Sequence, residues 1–248
     1  MSLSNLGQWF ETPRGLYLQA WEQSQFDQRV ADIFGFNAVQ VGLCGQDFLR
    51  ANRMPHRVHC NVCRDPGEPG ALQAAVEELP FASQSLDLVI LPHVLEFASH
   101  PHQVLREVER VLLPEGHLLV SGFNPLSLWG LRRSFSGHMG EIPWTGQYLS
   151  VSRLKDWLSL LGLEVHDLQY GCYAPPLASE VWLRRWSFME AAGRHCWPIA
   201  GGAYVLHAVK RVQGLRLIMP RWRQLKASKK GMAVVTQKNP HQDSEWNM

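Results

Sequence analysis

One stretch, Leu79 to Pro125 (LPFASQSLDLVILPHVLEFASHPHQVLREVERVLLPEGHLLVSGFNP), restricts what this chain can fold into more than any other. Ser85 to Leu91 is apolar but for Asp87, the pattern of a strand buried on both faces of a parallel sheet. From Val104 the apolar positions fall at Val104, Leu105, Val108, Val111 and Leu112, with Arg106, Glu107, Glu109 and Arg110 on the other face. That spacing predicts a helix with one buried stripe. Pro101 suits its first turn, and Pro-Glu-Gly at 114–116 is expected to end it before a second apolar run, His117 to Phe123. Strand, crossover helix and strand form a parallel βαβ unit, so the chain must build a sheet with helices packed on it.

The residues of this unit carry a family resemblance. LPF followed by SLDLV, a strand leading into VLEF, and then LREVERVLLPEGHLLVS resembles the second half of a class I S-adenosylmethionine-dependent methyltransferase of the type 11, ubiquinone-biosynthesis-like group. The resemblance implies an α/β, Rossmann-like sheet of seven strands, mostly parallel with an antiparallel last strand, with helices on both faces. It also implies S-adenosylmethionine as cofactor and methyl transfer as the activity. Gly42-Leu43-Cys44-Gly45-Gln46 follows a predicted first strand, Asn37 to Leu43, at the place of the family's glycine-rich turn. Such a turn lets backbone approach the ligand with no Cβ in the way. Here Gly42 corresponds to the first glycine, Cys44 and Gln46 stand in place of the next two, and Gly45 is out of phase. Gln40 takes the position of the acid that holds the methionine ammonium.

The same resemblance places Asn61, at the end of a second strand predicted over Arg57 to Cys63, where an acid binds the ribose hydroxyls, with Asp65 as a rival. Ala75 replaces the aspartate that accepts the adenine amine, leaving backbone near Val76, or Glu77 or Glu78, for that role. Leu91, Pro92 and His93, at the exit of the next strand, complete the expected cofactor groove. His93 is the best-placed titratable group for a general base; a histidine bonded to neighbouring backbone is the alternative.

Length and composition agree with this reading. The 248 residues suit one α/β domain with additions, and 46% hydrophobic against 19% charged residues allows a sizeable core. The expected divisions are an N-terminal helical cap over 1–35, a methyltransferase-like domain over 36–214 with an aromatic insertion near 175–201, and a basic, flexible extension over 215–248. In the cap, Pro13 and Gly15 read as punctuation before helices that use Leu18, Trp21, Val30, Ile33 and Phe34. No apolar run approaches the roughly 20 residues of a membrane span, and MSLSNLGQWF lacks the pattern of a signal peptide, so a cytoplasmic protein is expected. Cys60 and Cys63 have metal-ligand spacing with His56 and His59 nearby. Without a second such pair, buried thiols and no metal are the expectation.

Past the βαβ unit, Asn124 is a candidate substrate contact or a turn former. Residues 129–146 read as a substrate loop, and Ser152 as the cap of a helix stopped by Gly162. Trp182, Trp186 and Met189, with Trp182 and Trp186 as substrate contacts, would form one face of a helical lid in the insertion; packing on the core and a surface-seeking amphipathic helix are the alternatives. The acceptor is expected to be small or planar. Two other functions stay open: an inactive binding or regulatory module, suggested by Gln40, Cys44, Gln46 and Ala75, and a nucleic-acid methyltransferase. The second draws on the stretch between Glu190 and Asp243, where ten Lys and Arg residues occur and no acid.

Overall fold

The computed structural model of the chain describes residues 4–62, 72–135, 145–176, 185–186 and 188–211. Seven strands form one sheet: β1 Asn37–Val41, β2 His56–Asn61, β3 Leu72–Gln73, β4 Leu86–Pro92, β5 Leu112–Phe123, β6 Leu163–Gly171 and β7 Ala203–Lys210. The described helices are α1 Ser4–Phe10, α2 Pro13–Val30, α3 Val94–Phe97, α4 Pro101–Val111, α5 Leu128–Phe135, α6 Val151–Leu160 and α7 Phe188–Cys196. The strand order is β3-β2-β1-β4-β5-β7-β6. β1 pairs in parallel with β2 and β4, β4 in parallel with β5, and β7 lies antiparallel between β5 and β6. The expected class I sheet, with its reversed last strand, is therefore present.

β4 is buried along almost its whole length, as its apolar run requires. The one acid in it is structural. Asp87 Oδ2 accepts the Phe36 and Asn37 N–H groups, each at 2.9 Å, and so fastens the start of β1. The buried stripe of α4 is Pro101, Val104, Leu105, Val108 and Val111. Each such aliphatic side chain contributes about 1.5–3 kcal/mol on leaving water.

The junction after α4 departs from expectation. Pro-Glu-Gly does not form a connecting loop, because β5 begins at Leu112, directly after the helix. Leu86 pairs with Leu112 and Leu88 already with His117, so the extra residues are accommodated as a bulge in which Glu115 takes φ 62°. Other boundaries shift less. α6 is capped by Ser150, whose hydroxyl accepts from Arg153 N, rather than by Ser152. Residues 129–135, expected in a loop, lie in α5.

The N-terminal helices are built differently from the punctuation reading. Thr12 caps α2, accepting from Gly15 N at 3.2 Å, and Pro13 is its first residue. Gly15 lies inside that first turn, where a Cβ would come within 2.3 Å of Trp9 O, so only glycine lets α1 fold back this closely. The stripe that α2 buries is Leu18, Glu22, Phe26 and Val30, one acid among apolar neighbours. By its internal contacts the chain divides into Met1–Val212 and Gln213–Met248. The second unit, and with it the basic extension, lies outside the described residues, as do Cys63, Asp65 and Trp182.

Candidate active site

The chain runs outward from β1 to β2 and β3, then returns to place β4 on the other side of β1. At this reversal the connections leave in opposite directions, and the crevice outside the strand ends is where open α/β sheets bind ligands. Two left-handed turns mark it: Gly42 at φ 81° with Leu43 at φ 46° after β1, and His93 at φ 54° after β4.

Gln40 does not stand ready for a ligand. It is fully buried; Nε2 faces the carbonyls of Gln46 at 2.6 Å, Leu43 at 3.1 Å and Gly42 at 3.3 Å, while Oε1 accepts Phe48 N–H at 2.9 Å. A carboxylate here would meet three carbonyl oxygens with no hydrogen to share. The amide instead pins the turn, which tightens over residues 43–51 without forming the helix that begins at this point in the doubly wound fold. Gly42 N donates to Cys60 O at 2.8 Å. Cys44 is half-buried and Gly45 exposed on the same turn. Cys60 lies buried in β2, and burial pushes its thiol up to about 11.

The other expected groove residues line the same edge. Asn61 ends β2, half-buried, and its carbonyl accepts Ala74 N–H at 3.1 Å. Val76 is buried and Glu77 half-buried, between the bridged residues Ala75 and Glu78. Leu91 and Pro92 are the buried last residues of β4.

His93 sits between two carboxyl groups. Its Nε2 is 2.7 Å from Glu22 Oε1 on α2, and its Nδ1 is 2.9 Å from Glu96 Oε2 on α3; all three side chains are at most 1% exposed. Glu96 Oε1 also accepts Phe123 N–H from the end of β5. Burial alone would lower the pKa of His93, but Glu22 and then Glu96 reverse this and raise it to about 10. Burial pushes the Glu96 carboxyl up, against the opposing pull of His93. The expected general base is thus an imidazolium with both nitrogens engaged. It ties α2, α3 and the β4 exit together and has no nitrogen able to take a proton at neutral pH.

Aromatic side chains close the cluster. Phe123 packs on the His93 ring at 4.4 Å, Trp9 stands edge-on to Phe123 at 5.9 Å, and Tyr148 stacks on Phe123 at 5.1 Å. The Arg133 guanidinium lies 4.8 Å from the Tyr148 ring centroid. Burial first, and Glu96 second, push the Tyr148 hydroxyl well above its usual range.

The expected substrate contacts fare differently. Asn124 Nδ2 donates to Ile199 O at 2.7 Å and Gly201 O at 2.9 Å, and Oδ1 accepts Leu126 N–H at 3.0 Å. Its whole amide fastens the β5 exit to the approach of β7, the turn-forming alternative. Trp186 lies in a turn before α7 rather than on one helical face with Met189, its ring stacked 5.8 Å from Phe188. Sequence reasoning missed Glu22 and Glu96. The signal for Glu22 was there, an acid four residues from Leu18 and from Phe26 in an apolar stripe.

Residues 50–120 match the family model described as Methyltransferase domain. The match begins just past the altered turn. The seven-stranded order is that of the class I methyltransferase fold, and the matched stretch is similar to the type 11 group. It is 36% identical over 159 residues to the uncharacterized protein YafS of Escherichia coli (strain K12), covering 63% of this chain and 65% of the relative. It is 39% identical over 94 residues to the malonyl-[acyl-carrier protein] O-methyltransferase of Laribacter hongkongensis, covering 38% of this chain and 31% of that one. The chain thus spans less than two thirds of either relative. Among solved structures it resembles a chain from the complex of the Haloferax volcanii Trm112 methyltransferase activator with a methyltransferase. The TM-score is 0.60 at 17% identity, over 86% of this chain and 99% of that one, a likeness of fold.

Proposed function

We propose that the protein binds S-adenosylmethionine across the ends of β1 and β4 and transfers its methyl group to a small, partly apolar acceptor. The observation that carries this reading is the left-handed turn Gly42–Leu43 at the switch point of a sheet whose residues 50–120 match the methyltransferase family model. The residues present suit the cofactor. Gly42 leaves its backbone open to close approach, the Asn61 amide can both accept from and donate to ribose hydroxyls, and backbone around Val76 can meet an adenine edge.

When bound, S-adenosylmethionine supplies an electrophilic methyl group. The chain binds and orients, which is where such reactions gain most of their rate. Trp9, Phe123 and Tyr148 give the crevice beside His93 an aromatic wall suited to an apolar or planar acceptor. The imidazolium of His93 holds that wall and α2 in register; it does not act as a base.

The altered turn, with Gln40 bonded inward and the following helix replaced by turns, favours a second reading, a domain that keeps the fold without the chemistry. Titration calorimetry with S-adenosylmethionine and its demethylated product S-adenosylhomocysteine decides between the two. Binding is expected, and no heat up to millimolar ligand overturns the first reading in favour of the second.

A further inference from the structure

Glu96 has both carboxyl oxygens engaged, Oε2 by His93 and Oε1 by Phe123 N–H. Glu22 has only one. Its Oε1 meets His93, while Oε2 is buried and has no hydrogen-bond partner among the described residues. A buried carboxylate oxygen left unpaired is costly enough to call for a ligand. Ser121 Oγ is another buried side-chain oxygen without a partner among the described residues. Ser121 lies beside Pro92 in register, its carbonyl takes His93 N–H at 3.1 Å, and strand alternation puts its side chain on the face of Phe123, which packs on His93.

The position of Glu22 is as telling as its spare oxygen. One residue on, Gln23 Nε2 donates to Asp47 O at 3.1 Å, and four residues on, the Phe26 ring lies 4.7 Å from that of Phe48. This part of α2 therefore runs along the turn after β1 while Glu22 reaches the exit of β4. The negative side chain stands at the junction of the two strands whose ends frame the crevice, and β1 itself supplies none, because Gln40 is bonded inward. An ammonium group offers three donors and no acceptor, the complement of an orphan carboxylate oxygen and an orphan hydroxyl.

Resting on the function proposed above, we infer that Glu22, from the cap helix rather than from the sheet, is the residue that receives the ammonium of the cofactor's amino-acid end, with Ser121 as a second acceptor. The site is then assembled only when α2 is docked, so cofactor binding and closure of the cap are one event.

The test compares S-adenosylhomocysteine with methylthioadenosine, which has the same nucleoside and sulfur but lacks the amino-acid end. Calorimetry on the whole chain is expected to show Glu22→Gln weakening S-adenosylhomocysteine by about tenfold or more, the loss of one charge-assisted hydrogen bond, while methylthioadenosine binds as before. Glu22→Gln keeps a group able to pair with His93, and a single cooperative unfolding transition above the temperature of the titration checks that the fold survives. Glu22→Asp, which keeps the charge, should retain more affinity for S-adenosylhomocysteine than Glu22→Gln. Equal weakening of both ligands in Glu22→Gln overturns the inference by assigning Glu22 to packing, and no change in either overturns it by leaving the orphan oxygen to water. If the unaltered protein bound methylthioadenosine and S-adenosylhomocysteine equally, the inference would fail while the cofactor reading stood. Binding of neither ligand would remove both.

Discussion

At the scale of single residues, two histidines with opposite surroundings give the protein opposite responses to pH. His93 is held between Glu22 and Glu96 and raised to about 10. Its stabilising contribution is complete below its ordinary value and lost as pH rises through about 10. The expected outcomes are an imidazole NMR signal that stays in its protonated position beyond pH 8 and a falling urea midpoint as pH climbs from about 8 to about 10. His207 sits on β7 with its Nε2 2.9 Å from His117 Nδ1. Burial lowers it to about 4, with His117, His166 and Arg29 adding to the effect and Asp167 opposing it. Folding here favours the neutral ring, so this contribution is complete above the ordinary value of 6.5 and lost as pH falls through about 4. His207→Gln should flatten the acid limb of a stability–pH curve and leave the alkaline limb unchanged. Of the two, only His93 stands out in the sequence, as a strand-end base; the partners that reverse its role lie 71 residues before it and 3 after it.

At the scale of elements, α2 brings a buried acid, Glu22, to His93 at the end of β4. It is capped by Thr12 and started by Pro13, and Gly15 lets α1 lie against it. Alanine at an exposed helical glycine gains about 1 kcal/mol of propensity. At Gly15 the new methyl would press on the backbone of Trp9 and Phe10, and overpacking of that kind costs about 1–3 kcal/mol, so the clash wins. Gly15→Ala is therefore expected to lower the urea midpoint; an increase would show that α1 can move aside. The βαβ unit was legible because α4 and β4 follow regular periods with clear punctuation. Its bulge was not: Pro-Glu-Gly reads as a loop by local propensity, and only pairing with Leu86 and Leu88 draws it into β5.

At the scale of the whole molecule, the proposed function predicts that S-adenosylhomocysteine stabilises the folded unit. If S-adenosylhomocysteine binds the folded chain alone, a hundredfold excess over its dissociation constant adds about 2.7 kcal/mol and raises the thermal midpoint by about 5–10 °C. A thermal scan with and without ligand checks this, and methylthioadenosine should give a smaller shift if α2 contributes Glu22. The order of hydrophobic periods along Leu79–Pro125 was enough by itself to determine a parallel βαβ unit, because parallel strands must be buried and crossovers must be helical; the class I sheet around it was implied by the family resemblance and is present in the fold. Residue types alone also showed that the glycine-rich turn had lost its acid. What Gln40 does instead, which way Asn124 points, and which carboxyl oxygen is left unpaired among the described residues were decided only by tertiary structure. Each depends on partners far away in the chain, and a hydrogen bond to a distant carbonyl leaves no period in the sequence.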